Sequence, residues 1–229
     1  ILHIANILRD ENEGARRAAV EVLNEIGTPQ HVKHLLQSIK DADWWVRSRA
    51  ADALAKIGGP RVIEASLELI RDPDEDIRRA AIEILNQTKD ERAVDFLIEA
   101  TRDKDWWVKE RAVDALAEIG SKRALPSLLD LTRSTDPRSL PTVVRAIGKL
   151  GDTTQVPTIL PFLDNHGKEV RLEAITALTR LVDESNCDDV RARLEIVGAQ
   201  ADDPTVCHAA MRAVEDLDAR FSTTAAAAL

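Results

Sequence analysis

The chain has no tyrosine, one methionine and three phenylalanines. Its four tryptophans stand in two copies of one tetrapeptide, Asp43-Trp44-Trp45-Val46 and Asp105-Trp106-Trp107-Val108. A core built on stacked aromatics is excluded, so aliphatic side chains must fill the interior. Cysteine is equally scarce: Cys187 and Cys207 are too few for a disulfide framework, and a reducing cytoplasm is the expected compartment. No apolar run reaches the roughly 20 residues that a membrane span needs. Basic residues are outnumbered, 31 Lys and Arg against 40 Asp and Glu, for a formal charge of −9. That balance argues against nucleic acid, because phosphate binding relies on dense Lys and Arg.

Catalytic and metal patterns are also missing. The sequence holds no Gly-rich phosphate loop, nucleophile elbow or metalloprotease motif, so no catalytic residue and no cofactor is expected. His31 and His34 lie three apart, a spacing that could grip a metal, but no further Cys or His is near in sequence and both are expected at the surface. Cys207-His208 has only the distant Cys187 to support a zinc site. No metal is expected.

What is present is a period. The tryptophan pairs are 62 residues apart, and half of that interval recurs throughout. Steps of 31 give Ala19, Ala50, Ala81, Ala112, Val143 and Ala174. A second column is Leu23, Leu54, Leu85, Leu116, Ile147 and Leu178, and a third is Gly27, Gly58, Lys89, Gly120, Gly151 and Val182. Earlier in each unit stand Val32, Ile63, Val94, Leu125 and Val156. Within a unit the apolar spacing is helical: Val46, Ala50, Leu54 and Ile57 share one helix face.

Each unit is therefore two helices, in the second unit a first helix over about 30–40 and a second over about 44–57. Asp43, Asp74, Asp105 and Asp136 sit where the second helix needs an N-cap, and the glycine column sits where it must stop. Period-2 alternation is absent, so no sheet is expected. A two-helix unit cannot bury its apolar face alone and must stack. The regular units are 28–58, 59–89, 90–120, 121–151 and 152–182. A partial unit precedes them, and a last one, about 183–218, carries an insertion near Asp183 to Asp189. The expected domain is 1–218; residues 219–229 are set apart as a tail that resembles a cloning remnant, and the whole is expected to be a segment of something longer.

The stretches RDPDEDIRRAAIEIL and KDADWWVRSRAADALAKIG carry an Asp, an aliphatic-Arg pair and an alanine and leucine helix closed by glycine. In this they resemble HEAT repeats, in the short bacterial form also found in phycobilin lyases. The resemblance implies an all-α, right-handed α-solenoid of about seven repeats. It also implies that an Asp column (Asp10, Asp41, Asp72, Asp103) and a basic column (Arg16, Arg47, Arg78, Lys109, Arg171) bond between neighbouring repeats. Some relatives are di-iron hydroxylases that use His-Glu pairs; this chain has no His-Glu dipeptide. In the fifth unit Ser134 and Leu140 replace the Asp and the Arg, while Pro137 and Pro141 bracket the second helix. That helix is expected to start late, with altered curvature or a joint between units four and six.

Two surface features are candidates for partner binding. Adjacent helical residues point about 100° apart, so at least one of Trp44 and Trp45, and one of Trp106 and Trp107, is expected to be partly exposed. They serve either as packing wedges or as an aromatic ledge. The second feature is the column Glu21, Asp52, Glu83 and Asp114, reversed in sign at Arg145. It is either a solvated face or a groove for a basic peptide. The expected function is a non-catalytic scaffold that binds another protein or a domain of its own chain. The resemblance points to a module of a bacterial signalling protein such as a serine/threonine kinase. The alternative is a phycobilin-lyase-like, chromophore-handling subunit, with the tryptophans as walls and the Arg column for propionates.

Overall fold

The structure is a computed structural model that describes the backbone of residues 2–134 and 136–226 and the side chains of 3–133 and 136–221. Among the described residues all regular structure is helical. The chain is an all-α solenoid made of helix pairs, and it divides into two compact units between Ile119 and Gly120.

The first unit holds α1 (Leu2–Ile7), α2 (Glu13–Ile26), α3 (Val32–Ser38), α4 (Trp44–Ile57), α5 (Pro60–Leu69), α6 (Glu75–Thr88), α7 (Val94–Ala100) and α8 (Trp106–Ile119). The even-numbered helices stack in series, α2 on α4, α4 on α6 and α6 on α8, and each pairs with the helix before it. The reason lies in the periodic columns. Leu23, Leu54, Leu85 and Leu116 are each 0% exposed, and the alanines one turn earlier keep the backbones close enough to share that spine.

The starts and stops follow from local chemistry. An Asp-x-Asp pair precedes each tryptophan pair. Asp41 accepts the backbone N–H of Asp43 at 2.9 Å, and Asp43 in turn accepts that of Trp45 at 3.0 Å and caps α4. Asp103 and Asp105 repeat the arrangement before Trp107. Asp72 and Asp74 do so before Asp76. Each aspartate thus satisfies an amide that the helix itself leaves without a partner. Three of these helices end where the backbone turns left-handed: Gly58 has φ 59° and Gly120 φ 82°, and Lys89, in the same column, adopts φ 51° and ψ 36°, whereas Gly27 ends α2 at φ −59°.

The second unit holds α9 (Leu125–Ser134), α10 (Leu140–Leu150), α11 (Val156–Ile159, continued by a 3₁₀ turn over Leu160–Asp164), α12 (Lys168–Leu181), α13 (Cys187–Gln200) and α14 (Pro204–Ala226). Here α10 packs on α12 and α12 on α14. The expected late start is seen: α10 begins at Leu140 with Pro141 in its first turn, and it has 11 residues where α4, α6 and α8 have 14. Asp136 does not cap it; Asp136 Oδ1 accepts the backbone N–H of Arg138 at 2.9 Å and closes the turn that Pro137 starts, leaving Ser139 as the cap residue. Repeats five and six are in close contact. A Cβ placed on Gly148 of α10 would lie 2.6 Å from the Cβ of Ala177 on α12, so the two helices touch backbone to backbone there. The insertion in the last repeat lengthens its first helix, and α14 runs on to Ala226 through much of the segment set apart as a tail.

Candidate functional site

The basic and acidic columns form a ladder whose rungs alternate. Arg16 grips Asp41 with two hydrogen bonds, at 2.9 and 3.1 Å, and Arg78 grips Asp103 in the same way, at 2.8 and 3.0 Å. Arg78 is only 5% exposed, and its third arm donates to the carbonyls of Asp72 and Pro73 at 3.0 and 3.1 Å. Arg47, one repeat between them, does not take Asp72. Its guanidinium reaches Asp76 at 2.7 Å, and Asp72 is met by Lys40 at 3.2 Å. Asp76 occupies the column that holds Trp45 and Trp107 in the flanking repeats, which is why the rung shifts. In the acidic column the position that follows Asp103 is Ser134, whose side chain lies outside the described residues.

A second row of arginines completes the rungs and was not singled out from the sequence. Arg17 bonds Asp43 at 2.6 Å, and Arg79 bonds Asp105 at 2.6 Å. In the return direction Arg49 holds Glu21 with two bonds of 2.9 Å, and Arg111 holds Glu83 at 3.0 Å. The α2–α4 and α6–α8 contacts thus use one set of residues, displaced by 62. The signal was in the sequence: Arg16-Arg17-Ala18-Ala19 recurs as Arg78-Arg79-Ala80-Ala81. The structural unit is therefore a pair of repeats, one presenting two arginines and the next receiving them on Asp-x-Asp before two tryptophans.

This arrangement assigns the members of each tryptophan pair. Trp45 and Trp107 are half-buried. Trp45 packs against the core with the guanidinium of Arg17 at 6.0 Å and that of Arg49 at 5.7 Å from its ring, and Arg111 stands 5.7 Å from Trp107. Stacked guanidinium and indole attract through the ring quadrupole. Trp44 and Trp106 are 66% and 57% exposed. One ring of each pair is a wedge and the other faces solvent.

Trp44 stands at the edge of a groove of about 430 Å³ that crosses α4 and α6 to the Trp107 ring on α8. The groove lies over the α4–α6 contact, where fewer ion pairs cross than at the contacts on either side. Ala51 and Ala80 form part of its floor, and Arg47, Asp52, Asp76, Arg79 and Glu83 rim it. The acidic column is not a row of free carboxylates. Asp52 meets Arg49 at 3.0 Å, Glu83 and Asp114 share Arg111 at 3.0 and 3.5 Å, and Arg145 meets Glu173 at 3.2 Å. The bond from Arg49 holds Glu21 below the usual carboxylate range, and the bond from Arg17 does the same for Asp43. The rim is thus nearly neutral in sum, and the groove is distinguished by its aromatic edge.

His31 is not at the surface. It is 4% exposed, and its Nδ1 accepts the backbone N–H of Thr28 at 3.0 Å, which closes the turn into α3. No group of three or more His, Cys, Asp or Glu among the described residues could hold a metal, and none of the described helices is long and apolar enough to cross a membrane.

A family model for HEAT repeats matches residues 1–65 and 63–141, more than half of the chain. The chain belongs to the HEAT-repeat family. HEAT repeats typically bind other proteins and are typically non-catalytic. No curated protein matches the chain by sequence. Solved structures share the fold. Importin beta, in a polyethylene glycol crystal form, is 15% identical with a TM-score of 0.70 over 93% of this chain and 36% of its own. A HEAT-like repeat protein from the archaeon Thermococcus onnurineus NA1 is 12% identical with a TM-score of 0.62, over 95% of this chain and 97% of its own. The complex of CpcE and CpcF of phycocyanin lyase from Nostoc sp. PCC7120 is 18% identical with a TM-score of 0.53, over 93% of each chain. At these identities the likeness is one of fold.

Proposed function

We propose that this HEAT array is a non-catalytic scaffold that holds another protein, or another domain of its own chain, in the groove between Trp44 and Trp107. The exposure of Trp44 beside an alanine-floored groove carries the reading: an indole left in water next to an apolar floor is the usual form of an interface anchor. The neighbouring ladder keeps the groove rigid, so a partner need not order it on binding. Asp52 and Glu83 on the rim, and Asp114 beyond it, add hydrogen-bond acceptors for a basic partner, although each already serves an arginine. The host is read as a bacterial signalling protein, such as a serine/threonine kinase, on resemblance. Two free thiols, Cys187 and Cys207, fit a reducing cytoplasm.

A chromophore-handling role is the second reading, because Arg47 and Arg79 share the groove with indole rings. Asp76 already contacts both arginines, at 2.7 and 3.5 Å, so a propionate would have to displace it. This favours the protein partner.

The test is affinity capture with the wild-type chain and with Trp44→Ala, followed by a bilin titration. A protein held by the wild type and lost with Trp44→Ala, at unchanged melting temperature, is the expected result. Equal capture by both overturns the groove, and an absorbance shift with bilin moves the reading to the chromophore.

A further inference from the structure

The second unit carries a groove of its own, of about 660 Å³, between α12 and α14. Its lining is basic, where the Trp44 groove is nearly neutral. Arg180 on α12 and His208, Arg212 and Arg220 on α14 line it, with Asp216 the one carboxylate. Several arginines elsewhere in the chain are occupied: Arg16, Arg47, Arg78, Arg171 and Arg193 each hold a carboxylate across a repeat boundary. Among the described residues no carboxylate lies within ion-pair distance of Arg180, Arg212 or Arg220, and Asp216 pairs with none of them. In a chain of net charge −9, three guanidiniums collected in one groove with no carboxylate partner among the described residues stand out.

Their geometry indicates an extended ligand. Arg212 and Arg220 are eight residues apart on one helix, and at ~1.5 Å per residue that places them about 12 Å apart along its axis. An extended peptide advances ~3.3 Å per residue, so about four residues cover the distance. Arg220 is already posed: its guanidinium donates to the Thr179 carbonyl at 3.2 Å and lies 4.9 Å from the Phe221 ring. The Thr179 hydroxyl is turned away, donating to the Ile175 carbonyl at 2.8 Å. Each guanidinium keeps donors free in a fork that matches carboxylate and phosphoryl oxygens.

We propose that the α12–α14 groove binds an extended acidic segment of a partner polypeptide, its carboxylate or phosphoryl oxygens spread over Arg180, Arg212 and Arg220. The site is independent of the Trp44 groove.

The experiment uses the full chain and two fluorescein-labelled probes of equal length, octaglutamate and a serine-glycine peptide with two phosphoserines, read by fluorescence anisotropy. At least one probe binds, and the tighter one identifies the source of the anion. Binding weakens about 10-fold or more in Arg180→Gln/Arg212→Gln, and several-fold between about 50 and about 200 mM salt. The melting temperature stays unchanged, since both side chains are exposed, and Trp44→Ala binds the probe as the wild type does. Arg212→Glu alone, with helix content checked by circular dichroism, gives a second variant with the same expected loss. Absence of binding by either probe at the lower salt overturns the proposal. Equal affinity in the folded variants does so too, as does equally tight binding of a single-stranded oligonucleotide of the same charge.

Discussion

The two compact units solve one packing problem with different chemistry. In the first, neighbouring repeats are registered by charge: Arg16, Arg17 and Glu21 meet Asp41, Asp43 and Arg49, and the same set recurs at Arg78, Arg79 and Glu83. In the second, where Ser134 and Leu140 have replaced the ladder residues, α10 and α12 are registered mainly by shape, with Gly148 seated against Ala177 and the Arg145–Glu173 pair beside it. The comparison teaches that a repeat boundary can rely less on ion pairs when a small residue lets the backbones close up. A long-range directional constraint is replaced by a short-range steric one.

Four measurements break or sharpen that contrast. Arg78→Ala should be the most damaging, about 2–4 kcal/mol by denaturant melting, because it strips a buried guanidinium from Asp103 and from two carbonyls at once. Gly148→Ala should cost about 1–3 kcal/mol by overpacking against Ala177. Ala177→Gly in the same chain should recover part of that loss, a coupling that a double-mutant cycle reads directly. If Gly148→Ala is neutral, the steric account of the second unit fails.

Acid should separate the units next. Glu21 and Asp43 are held low by arginines of a neighbouring repeat, whereas Asp152 and Asp183 are held low first by Thr154 and Ser185 beside them. Asp203 in the second unit, bonded to Lys168, is held down to about 2. A carboxylate whose folded value lies below its unfolded value of about 4 contributes stability above that pH, and the contribution is lost as pH falls through the folded value. Hydrogen exchange followed from about pH 5 towards about pH 2 should therefore show the α2–α4 contact opening before the α10–α12 contact. The reverse order would contradict the charge-against-shape division. The smallest effect concerns the tryptophans. Trp45→Ala should cost about 1–3 kcal/mol, having lost packing and two guanidinium contacts, while Trp44→Ala should stay within about 0.5 kcal/mol.

Much of this was legible in the amino acids. The columns through Leu54 and Ala50 named the buried spine, α4 spans Trp44–Ile57 where the periodicity placed it, and the prolines announced the late start of α10. The tryptophan pairs were seen to need one exposed ring, because the helical angle alone forbids both from facing one core. Which ring is exposed was not legible, since it depends on Arg17 arriving from the previous repeat. The acidic column looked like a stripe because a one-dimensional reading follows residues at equal positions, while its partners, Arg49 and Arg111, stand three residues before Asp52 and Asp114 and reach Glu21 and Glu83 from the next stacked helix. His31 was misplaced for a similar reason: its burial depends on the fold of the Thr28 turn.

The order of the residues by itself determined that helix pairs would form and stack. Propensity, capping and apolar period act within a few residues and repeat unchanged every 31. Only the tertiary structure decided which guanidinium meets which carboxylate, and therefore which surfaces are left uncovered. A long side chain can choose among several partners at nearly equal cost until packed backbones fix the distances.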